Sequence, residues 1–156
     1  MADWIEAGAK APDFSLVTHE GTKLKLSSLK GRRVVLYFYP KDDTPGCTKE
    51  ACGFRDATAK LAKANAVVLG VSPDGPERHE SFRTKYKLPF TLLCDPDHVV
   101  AEKYGAWREK NMYGKKLMGI ARSTFLIDTD GRVAKVFKAV KPDGHAAQVL
   151  VALAEA

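Results

Sequence analysis

Val34-Val35-Leu36-Tyr37-Phe38-Tyr39-Pro40-Lys41-Asp42-Asp43-Thr44-Pro45-Gly46-Cys47-Thr48-Lys49-Glu50-Ala51-Cys52 is the stretch that decides how this 156-residue chain is read. Its first six residues are an unbroken β-branched and aromatic run, the pattern of a strand covered on both faces. After the polar break at Lys41-Asp42-Asp43, Thr44 suits a helix N-cap and Pro45 the first helical position, where a missing N–H costs nothing. Ala51, Phe54, Thr58, Leu61 and Ala62 then recur at helical spacing, with Lys49, Arg55, Asp56, Lys60 and Lys63 mostly elsewhere. Cys47 therefore falls in the first turn of the predicted helix. There, unpaired backbone N–H groups and the positive end of the helix dipole stabilise a thiolate. This makes Cys47 a candidate nucleophile and Cys52, five residues on, a candidate disulfide partner.

Outward from this stretch, strands and helices alternate. Phe14 to Val17 and Thr22 to Leu26 flank His19-Glu20-Gly21 as a hairpin, and Val67 to Ser72 is a second buried strand. Pro76 to Tyr86 reads as a helix, Thr91 to Cys94 as a short strand and Val99 to Tyr104 as a short helix. Ser123 to Asp128 and Val133 to Phe137 pair around the turn Thr129-Asp130-Gly131, and a last helix runs from about Asp143 to Leu153 or beyond. The pattern predicts an α/β fold, a central mixed sheet flanked by helices. With no linker, repeat or low-complexity segment, residues 1–156 are expected to form a single domain.

Composition narrows the function. The chain is 45% hydrophobic and carries a net charge of +6 with a pI near 9.2, which invites a rival reading as a nucleic-acid or polyanion-binding module. Its strongest basic run, Lys110, Lys115 and Lys116 around Tyr113, is short and mixed with apolar residues, and dispersed lysines form a solvated face. No 18 apolar residues run together, so no membrane partner is expected. Met1 to Asp13 carries Asp3, Glu6 and Lys10 and has no secretory h-region, so a cytoplasmic location is expected. In that reducing compartment a disulfide is more often catalytic than structural, and three cysteines make no framework. His19, His79, His98 and His145 are scattered without ligand spacing, and Pro96 separates Cys94 from His98, so no metal is expected. No Gly-rich phosphate loop follows a strand. Trp4, Trp107 and Tyr113 are expected to pack in the core, and the lack of a long apolar stripe points to a monomer.

Pro40, Thr44 and Cys47 together resemble the P-x-x-x-T-x-x-C signature of the peroxiredoxins. The spacing from Cys47 to Cys52 resembles the peroxiredoxin Q branch, also called bacterioferritin comigratory protein. Ala11-Pro12-Asp13-Phe14, Leu93 to His98, Lys110 to Lys116 and Arg122 to Asp128 resemble the same branch, so the likeness spans essentially the whole chain. It implies a thioredoxin-like fold with an amino-terminal hairpin extension, and a thiol-dependent peroxidase without cofactor that acts on hydrogen peroxide and alkyl hydroperoxides. It implies Cys47 as peroxidatic nucleophile and Cys52 as resolving thiol, with thioredoxin or glutaredoxin as reductant. The Thr44 hydroxyl, the Cys47 N–H and Arg122 would surround the peroxide oxygens. Pro40 would shape and shield the pocket, and Glu50 would orient Arg122 or a neighbour.

Each residue also has a plainer reading. Thr44 alone is a helix cap, Arg122 a surface charge, Cys52 a small buried hydrophobe. Cys94 reads as a buried core thiol, with a secondary redox role left open. A thioredoxin-type disulfide oxidoreductase is the nearest rival, but it needs C-x-x-C, and four residues intervene here.

Two magnitudes bear on mechanism. An ordinary thiol is about 3% thiolate at pH 7, and a pKa of about 6 raises this to roughly 90%, a gain of about thirtyfold. Enzymes supply on the order of a millionfold or more, so donors that polarise the O–O bond must supply the rest. On one continuous helix, residues five apart have Cα atoms roughly 8.7 Å apart, whereas a disulfide needs about 7 Å or less. Oxidation is therefore expected to unwind the helix around Thr44 to Phe54, with Gly46 and Gly53 loosening the backbone.

Overall fold

The computed structural model describes residues 3–155. Met1 and Ala2, which open the segment read above as lacking a secretory signal, and Ala156 lie outside them.

The double-faced apolar run forms β3 (Arg33–Phe38), and its alternation explains why it has no polar side. Val34, Leu36 and Phe38 enter one core with Leu69, Val71, Tyr104 and Phe125, while Val35, Tyr37 and Tyr39 enter a second with Cys47, Ala51, Phe54 and Leu153. At about 1.5–3 kcal/mol per fully buried large apolar side chain, this strand alone ties two layers together. Around it lies a mixed seven-stranded sheet of order β2-β1-β5-β4-β3-β8-β9, formed by β1 (Ser15–Thr18), β2 (Lys23–Lys25), β4 (Ala66–Ser72), β5 (Thr91–Cys94), β8 (Ser123–Ile127) and β9 (Val133–Phe137). The β3–β4 and β4–β5 pairs are parallel and the others antiparallel. The edge strand β2 is short, and Lys23 and Lys25 are exposed on it, which discourages further strand addition.

The helices are α1 (Pro45–Asp56), α2 (Thr58–Lys63), α3 (Pro76–Tyr86), α4 (Val99–Tyr104) and α5 (His145–Glu155). The single helix expected after Pro45 is broken at Ala57. There the Thr58 hydroxyl donates to the carbonyls of Arg55 (2.7 Å) and Phe54 (3.3 Å), closing off the last turn of α1. A further element, absent from the expectation, is the two-stranded hairpin of β6 (Trp107–Met112) and β7 (Lys115–Ile120). Its turn residues Tyr113 and Gly114 both have positive φ, 53° and 78°, the backbone of a type I′ turn. Tyr113 is fully exposed at its tip, against the expectation that it packs in the core. Trp4 does pack on Phe125, and Trp107 stacks on His98 at 3.6 Å. Among the described residues no helix is long and apolar enough to cross a membrane.

Candidate active site

The segment from Pro40 to Thr44 reaches α1 in a conformation held from α3. The Asp42 carboxylate accepts from the Tyr39 hydroxyl (2.5 Å) and lies 2.6 Å from His79 Nδ1, and its own N–H donates to Asp74 (2.7 Å). Asp43, at φ 60°, accepts from Lys85 Nζ and the Tyr86 hydroxyl, each at 2.8 Å. Thr44 is the N-cap residue by backbone geometry, but its hydroxyl donates to the Lys41 carbonyl at 2.9 Å and makes no capping bond. That bond uses its only proton and leaves oxygen lone pairs free to accept.

Cys47 is the third residue of α1, where its N–H has no helical carbonyl behind it. Its side chain is 1% exposed. Arg122, which directly precedes β8, reaches it across the sheet: Nη2 lies 3.3 Å from Cys47 Sγ, and Nη1 donates to Glu50 Oε1 at 2.7 Å. Gly46 eases the close approach, since a Cβ there would stand 3.1 Å from Arg122 Nη2, a tight contact. Burial raises the pKa of Glu50 to about 7, against the opposing pull of Arg122. Burial works against the charge on Arg122, yet Glu50 and Cys47 together carry its pKa above the usual guanidinium value. Cys52 lies on the same helix, half-buried, and Pro40 is half-buried at the end of β3. All three cysteines are free thiols.

The fold thus brings Arg122 and Cys47, 75 residues apart in sequence, into one hydrogen-bonded group with Glu50. A sequence model of the AhpC/TSA family matches residues 7–136, most of the chain. The chain belongs to the AhpC/TSA family. It is similar to peroxiredoxin Bcp of Bacillus subtilis, 52% identical over 96% of this chain and 95% of the relative. It is also similar to peroxiredoxin Bcp of Escherichia coli K12, 48% identical over 90% of each. A solved structure of the Xanthomonas campestris bacterioferritin comigratory protein, studied for alkyl peroxide reduction, superposes with a TM-score of 0.90 at 40% identity over 96% of this chain and 98% of that one. The fold is thioredoxin-like, and the protein is a peroxiredoxin, a thiol-dependent peroxidase.

One feature of this AhpC/TSA chain was not legible from spacing. Asp42, Asp74 and His79 come within 4.8 Å of one another, a grouping that could hold a metal ion. Their atoms are engaged, however: Ser72 and the Asp42 N–H donate to Asp74, Arg78 pairs with it at 3.2 Å, and His79 Nε2 lies 2.8 Å from the Leu93 carbonyl. The trio holds the Pro40–Thr44 segment to α3. The third cysteine, Cys94, is buried beside it. Burial first, then Asp42 and Asp74, push its thiol up to about 11, so it carries almost no thiolate at neutral pH.

Proposed function

We propose that Cys47 attacks the terminal oxygen of hydrogen peroxide or an alkyl hydroperoxide, forming an S–O bond as the O–O bond breaks. Cys47 becomes a sulfenic acid and the alkoxide or hydroxide leaves and is protonated. Cys52 then displaces water from the sulfenic acid to give a Cys47–Cys52 disulfide, which an external dithiol, thioredoxin or glutaredoxin, reduces. The observation that carries this reading is the guanidinium of Arg122 set 3.3 Å from a buried sulfur at a helix N-terminus. A planar fork that already touches the nucleophile can also face the oxygens it attacks. Thr44, with its proton committed to Lys41, would accept from the peroxide O–H, and Pro40, without an N–H, would bound the pocket. The same reading makes residues 1–156 one domain and the protein a cytoplasmic, monomeric antioxidant enzyme. Stopped-flow peroxide reduction by the parent, Cys47→Ser and Cys52→Ser proteins tests it.

Two variants probe parts of the scheme. Arg122→Lys keeps a charge but not the fork that spans Glu50 and Cys47, so the rate constant for peroxide should fall at least about tenfold with circular dichroism unchanged. An unchanged rate constant would remove Arg122 from the chemistry. Gly53→Ala addresses the unwinding. A Cβ there would meet Ala146 Cβ at 3.7 Å, an ordinary contact, so alanine fits the folded helix and stabilises it by about 1 kcal/mol. If disulfide formation requires α1 to unwind through Gly53, that step should slow about fivefold while the first oxidation keeps its rate. Equal disulfide-formation rates in parent and variant would mean the helix opens elsewhere.

A further inference from the structure

The peroxidase reaction leaves one proton without a source. When Cys47 takes the terminal oxygen, the alkoxide or hydroxide departs as a strong base, and the groups placed at the sulfur do not give it a proton. Arg122 is never deprotonated at working pH, the Thr44 proton is committed to the Lys41 carbonyl, and Pro40 has no N–H. Glu50 is 1% exposed and held on Nη1 of Arg122, the arm of the fork that does not touch the sulfur. Enclosed there, it has no route to recover a proton from solvent. His145 has both ring nitrogens engaged, Nε2 at 2.7 Å from the Thr124 hydroxyl and Nδ1 at 3.0 Å from Gln148. Burial makes the Tyr37 hydroxyl a weaker acid than an ordinary phenol.

The β6–β7 hairpin brings up a further acid. Pairing across it sets Lys110 opposite Leu117 and Arg108 opposite Gly119, so these four residues share one face. On that face the Lys110 stem leans toward the root of the hairpin rather than its exposed tip: a Cβ on Gly119 would stand 3.3 Å from Lys110 Cδ and 3.7 Å from Cε. Gly119, without a side chain, leaves that lane open, and three residues further on the chain reaches Arg122. Lys110 is half-buried, and no ion pair or hydrogen bond joins its ammonium to another described residue. Lys116, on the opposite face, instead pairs with Glu109 at 3.9 Å. Among the described residues the anion that acts on Lys110 is Cys47, so the ammonium and the sulfur lie within each other's field.

We propose that Lys110 is a catalytic residue, the general acid that protonates the leaving oxygen as the O–O bond breaks. This rests on Cys47 being the nucleophile. The thiolate electron pair forms the S–O bond, the O–O pair leaves with the departing oxygen, and an ammonium proton of Lys110 moves to that oxygen. The sulfur is oxidised to the sulfenic acid, the peroxide is reduced to an alcohol or water, and the neutral amine takes a proton back from solvent. An ammonium is a far stronger acid than an alcohol, so the transfer runs downhill. Burial, then Arg122, lower the Lys110 pKa against the opposing effect of Cys47, which makes the proton easier to give. Partial exposure lets the amine reload, which the enclosed Glu50 cannot do.

The test compares two oxidants in the first oxidation, followed by stopped flow. tert-Butyl hydroperoxide expels an alkoxide that must be protonated, whereas peracetic acid expels acetate, which is stable at neutral pH without a proton. Lys110→Met should lower the rate constant for tert-butyl hydroperoxide relative to that for peracetic acid by about a hundredfold. Loss of the lysine's field at the sulfur slows both oxidants alike, so the ratio isolates the proton. Lys110→Arg restores the charge without a proton it can give, and should show the same altered ratio. An unchanged ratio in folded Lys110→Met, or a parent-like ratio in Lys110→Arg, would overturn the proposal. The parent protein supplies a measurement independent of both variants. In deuterium oxide its reaction with tert-butyl hydroperoxide should slow about twofold and its reaction with peracetic acid should not. Equal isotope effects for the two oxidants would equally overturn the proposal. Peroxide reduction surviving in Cys47→Ser would instead defeat the assignment of the nucleophile on which it rests.

Discussion

Cys47→Ser should lose peroxide reduction altogether, to below a few per cent of the parent. The serine oxygen would occupy nearly the same buried place beside Arg122, so binding and fold are retained while the nucleophile is not. A hydroxyl is almost entirely protonated at neutral pH, and no neighbouring group in this cluster is basic enough to change that. The field of Arg122, the helix N-terminus and the pocket donors would remain, yet they act on a charge that the serine cannot develop. Stopped-flow mixing with hydrogen peroxide, alongside circular dichroism to verify folding, reads the result. Retention of more than a few per cent of turnover would move the chemistry to another residue.

Cys52→Ser should separate the two halves of the cycle. The first oxidation should keep its rate within about twofold, because Cys47, Arg122 and Glu50 are untouched and Cys52 is half-buried elsewhere on α1. Turnover with thioredoxin should be lost, since no disulfide is presented to it. The sulfenic acid should accumulate and pass to sulfinic acid under excess peroxide, which intact-mass measurement follows as successive oxygen additions. Cys94 is not expected to substitute, being buried with its thiol held at about 11. Prompt intramolecular disulfide in this variant would make Cys94 the resolving residue.

The elements that carry a strong hydrophobic signature were legible in the sequence. The run from Val34 to Tyr39 has no polar side because β3 feeds two cores, and Pro76 and Tyr86 bound α3 as expected. The β6–β7 hairpin was not, because Trp107-Arg108-Glu109-Lys110-Asn111-Met112 has no apolar alternation and its turn is Tyr113-Gly114 rather than Asn-Gly. A two-stranded element that buries little has little reason to show a period of two. Within the site, Cys47 follows from helix-start chemistry alone, whereas Thr44 reads there only as a helix cap and enters the site through family resemblance. Arg122 was legible only through family resemblance, since nothing local distinguishes it from a surface charge. Glu50, by its own pattern one more polar residue of an amphipathic helix, was likewise linked to Arg122 only through that resemblance, and the fold places its carboxyl against Arg122. Asp42 and His79 lie 37 positions apart, and only the docking of α3 against the Pro40–Thr44 segment reveals their contact.

The most direct test of the Cys47–Cys52 cycle is amide hydrogen exchange on the dithiol and disulfide forms, because both cysteines lie on α1 and the bond cannot close across an intact helix. With the disulfide verified by peptide mapping, the amides of Lys49 to Arg55 are expected to exchange far faster in the oxidised protein, while β3 and β4 keep their protection. Equal protection of Lys49 to Arg55 in both forms would contradict the account.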